Sequence, residues 1–190
     1  MEALSISDKY ESINFSQLKE NDFHQLFVWL NQPYIRTFYQ KEAIDFIAIE
    51  QKYTERLQSN STVNCYIINF NTVPIGYIQT YMIADHVDFS NVTGVKNGAS
   101  IDFYIGNPAF LNRGFGWLIE LKFLKEILFS NTTASKCYVY HEKDNIPALK
   151  SSKKVGFRYF KSLIIDNKVN YLFLIPKIKL LEKAEVLLKS

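Results

Sequence analysis

The sequence predicts an α/β domain of the α+β kind, with a mixed, mainly antiparallel sheet of about seven strands and helices on both faces. Three observations carry that reading. β-rich apolar runs alternate with helix-period segments along the chain, and no repeat or shift of composition divides it. Its 190 residues are 47% hydrophobic, enough for one sizeable core. The expected organisation is a flexible leader over 1–9, one domain over 10–176 and a basic tail over 177–190.

In chain order, Tyr10 to Phe15 reads as a first strand. Leu18 to Asn31 reads as a helix with Phe23, Leu26, Phe27 and Leu30 inward, stopped by Asn31-Gln32-Pro33. Tyr34 to Tyr39 is aromatic and irregular. Glu42 to Leu57 is a second helix, with Ile44, Ile47, Tyr53 and Leu57 apolar. Val63 to Phe70 and Val73 to Ile83 form a hairpin around Asn71-Thr72, and Gln79 is a polar residue within its apolar second strand. Ala84 to Ala99 reads as a long loop carrying Asp85, His86 and Asp88, and a loop of that length suits a substrate contact. Ser135 to Tyr140 is a strand. Ile146 to Val155 is a helix with Pro147 in its first turn and Gly156 at its end. Phe157 to Ile165 and Lys168 to Ile175 make a second hairpin, and the Leu-rich tail from Lys177 is a terminal helix or a frayed extension.

The stretch from Ile101 to Phe129 organises the rest. A strand opens it, with Ile101, Phe103 and Ile105 on one face and Asp102 and Tyr104 on the other. Gly106-Asn107-Pro108 ends the strand, and Asn112-Arg113-Gly114-Phe115-Gly116 leads into a periodic helix. Trp117, Leu118, Leu121, Leu124 and Leu128 form its apolar stripe, with Glu120, Lys122, Lys125 and Glu126 on or near the other side. A strand, a Gly-rich turn and a helix N-terminus make an anion cradle, because the first N–H groups of a helix lack intrahelical acceptors. Arg113 adds a cation beside it. Dinucleotide and Walker spacings both fail: Ile119 occupies the third glycine position, and no lysine-serine pair follows.

Composition narrows the function classes. Net charge is only +3, from 22 Lys and Arg against 19 Asp and Glu, which does not argue for a nucleic-acid partner. Cys65 and Cys137 lie in apolar strand-like runs without metal-ligand spacing, so buried thiols are expected and no metal. No apolar run reaches membrane-spanning length, and the polar start MEALSISDKYES is unlike a signal peptide. The expectation is a cytoplasmic protein, monomer or homodimer, with no membrane or nucleic-acid partner.

The Leu111 to Gly116 turn resembles the acetyl-CoA-binding motif Q/R-x-x-G-x-G/A of the GNAT N-acetyltransferase superfamily, with Leu111 at the Gln/Arg position. Further likeness, to the aminoglycoside 6'-N-acetyltransferase branch, lies in Pro74 to Tyr81, in Ile101-Asp102 with Ile105-Gly106, and in Asn145, Ala148, Lys154, Gly156 and Phe157. Together these cover roughly residues 12 to 175. The resemblance implies the GNAT-like fold and acetyl-CoA as co-substrate. It places the cofactor at Leu111, Asn112, Arg113, Gly114, Phe115, Gly116 and Trp117, with Asn145 and Ser152 from the later helix. Asp102 is implied as the catalytic carboxylate. Gln79, Tyr81, Asp85 and Asp88 join Asp102 in holding a small cationic amine, namely an aminoglycoside. A polyamine, a siderophore precursor or a protein amine is the alternative acceptor, and a non-catalytic acyl-CoA-binding module is the alternative class. Many of these enzymes carry a tyrosine as acid toward the CoA sulfur where this chain has Ser152, a poor and short donor.

Overall fold

The computed structural model describes residues 4–188. Helix α1 (Ile6–Ser12) begins inside the segment expected as leader. A reciprocal cap explains it: Ser5 Oγ accepts from the Asp8 N–H at 3.0 Å, while Asp8 Oδ2 accepts from the Ser5 N–H at 3.2 Å. Strand β1 (Ile13–Gln17) therefore starts three residues later than its apolar pattern suggested. A 3-10 turn at Glu20–Asp22 leads into α2 (Phe23–Leu30), and the aromatic segment after it holds the short α3 (Pro33–Arg36). Helix α4 (Phe46–Leu57) starts at Asp45, whose Oδ1 accepts from the Ala48 N–H at 2.7 Å.

Strands β2 (Val63–Phe70), β3 (Val73–Met82), β4 (Ala99–Ile105), β5 (Lys136–Glu142), β6 (Arg158–Ile165) and β7 (Lys168–Pro176) complete a seven-stranded sheet. Its order is β1-β2-β3-β4-β5-β7-β6. All neighbours are antiparallel except β4 and β5, which pair in parallel through only Ala99↔Cys137 and Ser100↔Tyr138. Beyond Ser100 and Tyr138 the two strands no longer pair, so the sheet opens as a wedge at its centre.

Between β3 and β4, where a loop was expected, lies helix α5 (Val87–Thr93). It buries Phe89 and Thr93 beside Ile83, Tyr138 and Leu172, and Gly94 closes it at φ 66°. The helix escaped the pattern because it is only seven residues long, and its polar Asp88, Ser90 and Asn91 break a recognisable stripe.

Helix α6 (Phe115–Phe123) runs on through a π-turn at Leu124–Leu128 into a last turn, α7 (Phe129–Asn131). Glu120 and Lys122, expected on or near the side away from the apolar stripe, are buried along with it. Every residue from Trp117 to Phe123 is buried, because α6 is walled by the sheet, α1 and α8 (Ile146–Val155). Lys122 is accommodated by donating to the Tyr10 carbonyl at 2.8 Å. The tail is ordered through Leu187 as α9 (Lys177–Leu187), which buries Leu180 and Ala184 against this layer. The opposite face of β2, β3 and β4 is covered by α2 and α4 around Cys65, Ile67, Tyr77 and Tyr104. Both cysteines are buried and free, as their apolar runs suggested.

Candidate active site

Strand register builds the first half of the site. Cys65, Gln79 and Asp102 face one another across β2, β3 and β4, with Tyr77 opposite Tyr104 and Tyr81 opposite Ser100. Their side chains share the face under α4, because residues two apart on a strand point the same way. The face opens into a cavity of about 230 Å³ near the parting of β4 and β5. Gln79, Tyr81, Asp88 and Asp102 line it, as the sequence suggested. Asp85 does not: it is exposed in the 3-10 turn Ile83–Asp85, outside the cavity wall. Arg56, His86 and Tyr140 with the apolar Val63, Phe89 and Val92 complete the lining, and none of them was among the expected site residues. Arg56 gave no local signal, since an arginine in the last turn of a helix reads as a solvated charge.

These groups are hydrogen-bonded in a row. Arg56 Nη1 donates to Gln79 Oε1 and to Tyr77 Oη, the latter at 3.2 Å. The Tyr77 hydroxyl lies 2.8 Å from Gln79 Oε1 and 3.0 Å from Cys65 Sγ. Gln79 Nε2 donates to Asp102 Oδ2 at 2.9 Å. Burial raises the Asp102 carboxyl above its ordinary range, and the Gln79 hydrogen bond, the Arg56 charge and Tyr81 oppose that rise. His86 shifts down through burial and packs its ring 4.1 Å from that of Tyr81.

The second half of the site is the turn into α6. Gly114 caps that helix at φ 79°, a left-handed conformation that strains any residue with a Cβ, and Asn112 precedes it at φ 58°. Leu111 is partly buried, whereas Asn112, Arg113 and Gly114 are exposed. Phe115 and Trp117 put their rings into the core, so they can offer an anion only main-chain atoms. Gly116 faces α8, where a Cβ would meet Ser151 Oγ at 3.4 Å, an ordinary contact. Cations gather around the turn. Lys9 Nζ donates to the Arg113 carbonyl at 3.2 Å, and Lys154 Nζ lies 3.9 Å from the Trp117 ring centroid. A polyanion placed on this turn would meet unpaired first-turn N–H groups and three basic side chains.

Asn145 and Ser152 are turned to structural work. Asn145 caps α8, its Oδ1 accepting from the Ala148 N–H at 3.3 Å. Ser152 is 1% exposed and donates to Glu120 Oε1 at 2.8 Å, while Ser151 Oγ donates to Glu120 Oε2 at 2.9 Å. His141 Nε2 lies 2.9 Å from Ser152 Oγ. Burial pushes the Glu120 carboxyl up to about 7, against the two serine donors, and brings His141 down to about 4. A buried Glu–Ser–His chain thus lies between α6, α8 and β5, on the other side of the sheet from Asp102.

A family of GNAT acetyltransferase domains matches residues 19–164, most of the chain and both halves of the site. The chain belongs to the GNAT acetyltransferases. It is an N-acetyltransferase that uses acetyl-CoA as co-substrate, and the cationic, glycine-capped turn fits a coenzyme pyrophosphate. Among curated proteins the chain is similar to aminoglycoside N(6')-acetyltransferase type 1 of Klebsiella pneumoniae, 27% identical over 158 residues, spanning 80% of this chain and 77% of that protein. Two solved structures share its fold. The aminoglycoside acetyltransferase AAC(6')-Ib, in complex with coenzyme A and kanamycin, has a TM-score of 0.79 at 21% identity, over 92% of this chain and 99% of the other. Spermidine N-acetyltransferase from Vibrio cholerae, in complex with CoA and spermine, has a TM-score of 0.70 at 16% identity, over 90% and 99%. Among the described residues no helix is long and apolar enough to cross a membrane.

Proposed function

We propose that this acetyltransferase acetylates the primary amine of a small cationic acceptor, the 6'-amine of an aminoglycoside, with Asp102 as the base. The carrying observation is the position of Asp102. It sits half-buried in the cavity wall, on the strand that leads to the cofactor turn, with its pKa raised toward the range where a carboxylate can take up a proton. The likeness to the Klebsiella enzyme supports the aminoglycoside as acceptor. Asp102 and Asp88 attract the ammonium, Asp102 accepts its proton directly or through one water, and the free amine attacks the thioester carbonyl. The N–C bond forms, the C–S bond breaks, and the thiolate leaves to be protonated as coenzyme A. Gln79 and Tyr81 orient the acceptor through its hydroxyls. Acetyl-CoA as the acetyl source supports a cytoplasmic reaction, in which acetylation would blunt an antibiotic.

One observation favours a second reading, in which the acceptor is a less highly charged amine. Arg56 lines the same cavity as the two carboxylates, and a fixed cation there works against a polycation. A thiol-release assay tests both readings, with wild type and Asp102→Asn against kanamycin-type aminoglycosides, spermidine, simple monoamines and a lysine peptide. Turnover of aminoglycosides that is lost in Asp102→Asn supports the first reading. Turnover confined to monoamines or peptide moves the acceptor to the second class, turnover of spermidine without aminoglycosides overturns both readings of the acceptor, and equal rates in the variant remove Asp102 from the chemistry.

A further inference from the structure

Arg56 sits in the last turn of α4 with no carboxylate at ion-pair distance among the described residues. Its guanidinium lies 5.3 Å from the Tyr53 ring centroid, and Nη1 is engaged by Tyr77 Oη and Gln79 Oε1. A charge that cannot be lost is therefore directed at the oxygen of a neutral amide. The consequence lies at the other end of that amide. Arg56 and Tyr77 both donate to Oε1, so the Gln79 side chain has one acceptable orientation, with Nε2 toward Asp102 Oδ2 at 2.9 Å. An amide turned the other way would set its NH₂ against a guanidinium and its oxygen against a carboxylate.

We propose that Arg56 is a positioning residue for the acetyl transfer, acting through Gln79 to fix one oxygen of Asp102 and to hold that carboxylate in its ionised form. This rests on the reading of Asp102 as base. Arg56 does not need to touch the acceptor for this role, and its effect reaches Asp102 both along the hydrogen bonds and through its charge. From α4, Lys52 also faces Asp102, and its own charged form is disfavoured by burial and by Arg56. Gln79 and Tyr81 face it from β3, His86 from the segment before α5, and Tyr39 from the loop after α3. From β5 comes Tyr140, whose charged form is disfavoured by burial, and Asp88 is the other acid of the cavity, while Cys137 lies on the opposite face of β5 in the core under α6. Of these, Arg56 is the permanent cation bonded into the chain that ends on Asp102.

The test is the pH profile of kcat at saturating acetyl-CoA and acceptor, for wild type, Arg56→Met, Arg56→Lys and Gln79→Met, with Asp102→Asn run beside them. Activity that needs ionised Asp102 falls on the acid side of its pKa. Removing Arg56 takes away a group that lowers this pKa, so the acid limb in Arg56→Met should move up by about one pH unit. Its kcat near neutral pH should fall about tenfold. KM for the amine should not rise, since Arg56 acts on the base and its charge in the cavity only opposes a cationic acceptor. Arg56→Lys should bring the limb part of the way back, and Gln79→Met should reproduce the shift with Arg56 intact, which also covers an Arg56→Met protein that folds poorly. A limb unmoved in folded Arg56→Met whatever Gln79→Met does, a limb unmoved in Gln79→Met, or a rise in acceptor KM alone overturns the role of Arg56. If Asp102→Asn keeps wild-type activity, the base assignment itself falls, and the inference falls with it.

Discussion

Two carboxyls, one on each side of the sheet, show how the same physical penalty serves different ends. Burial raises both Asp102 and Glu120. Asp102 opens onto a cavity and is offset by Gln79 and by the charge of Arg56. Glu120 is 1% exposed, and among the described residues its side-chain partners are the hydroxyls of Ser151 and Ser152. Without a compensating cation, a sealed carboxyl reduces its cost by keeping its proton. A raised pKa therefore marks burial in both places, and what marks chemistry is the opening beside the group and the cation that preserves its charge.

The sharpest way to break this contrast is to neutralise each carboxyl in turn and measure kcat/KM by thiol release. Asp102→Asn should lose a factor of about 10²–10⁴, the range for removing a general base. Glu120→Gln should stay within about tenfold of wild type, because no acceptor reaches it. Equal losses in the two variants would mean that the sealed carboxyl takes part in catalysis and that the opening does not distinguish them.

Stability should reverse the ranking. The Glu120 carboxyl rises from 4.5 to about 7 on folding, so the folded state binds the proton more tightly than the unfolded one. Its ionisation removes stability as pH rises through that window, on the order of 3 kcal/mol once both states are ionised. His141 works with the opposite sign. Its pKa falls from 6.5 to about 4 on folding, so stability is lost as pH drops through that range. The two slopes offset each other between about pH 4.5 and 6.5. Urea unfolding of wild type and Glu120→Gln at pH 5 and pH 8 isolates the Glu120 part. The variant should gain on wild type from pH 5 to pH 8, by up to about 3 kcal/mol. A constant difference between the two pH values would show that Glu120 is not held protonated in the fold.

The contrast also separates what the sequence could reveal from what it could not. Alternation within Ile101 to Ile105 put Asp102 on the polar face of its strand, and two glycines before a long helix marked the anion turn. Both are local signals, and the structure bears out the facing and the turn. Gln79 and Asp102 become partners through antiparallel register, and Arg56 joins them from a helix 23 residues before Gln79. Glu120 was misplaced for a related reason. Its charge suggested solvent, but α6 has layers on every side, and the serines that receive it lie 31 and 32 residues later. Helix α5 was lost because a seven-residue element cannot establish a period.

The smallest effect concerns Ser152, where the resemblance to other acetyltransferases leaves a short hydroxyl in the place of an acidic phenol. Its Oγ is committed inward, to Glu120 at 2.8 Å and His141 at 2.9 Å, and it is 1% exposed. A group so placed cannot deliver a proton to a departing sulfur without abandoning both partners. Ser152→Ala should therefore change kcat by less than about tenfold, or 1.4 kcal/mol. It should also lower unfolding stability by about 1–2 kcal/mol, because Glu120 Oε1 and His141 Nε2 lose their shared partner. Steady-state rates and urea midpoints on the same preparation separate these two effects. A hundredfold loss of kcat at unchanged stability would make Ser152 part of thiolate departure. The Glu120 side of the sheet would then be a second catalytic station, joined to the first across the parting of β4 and β5.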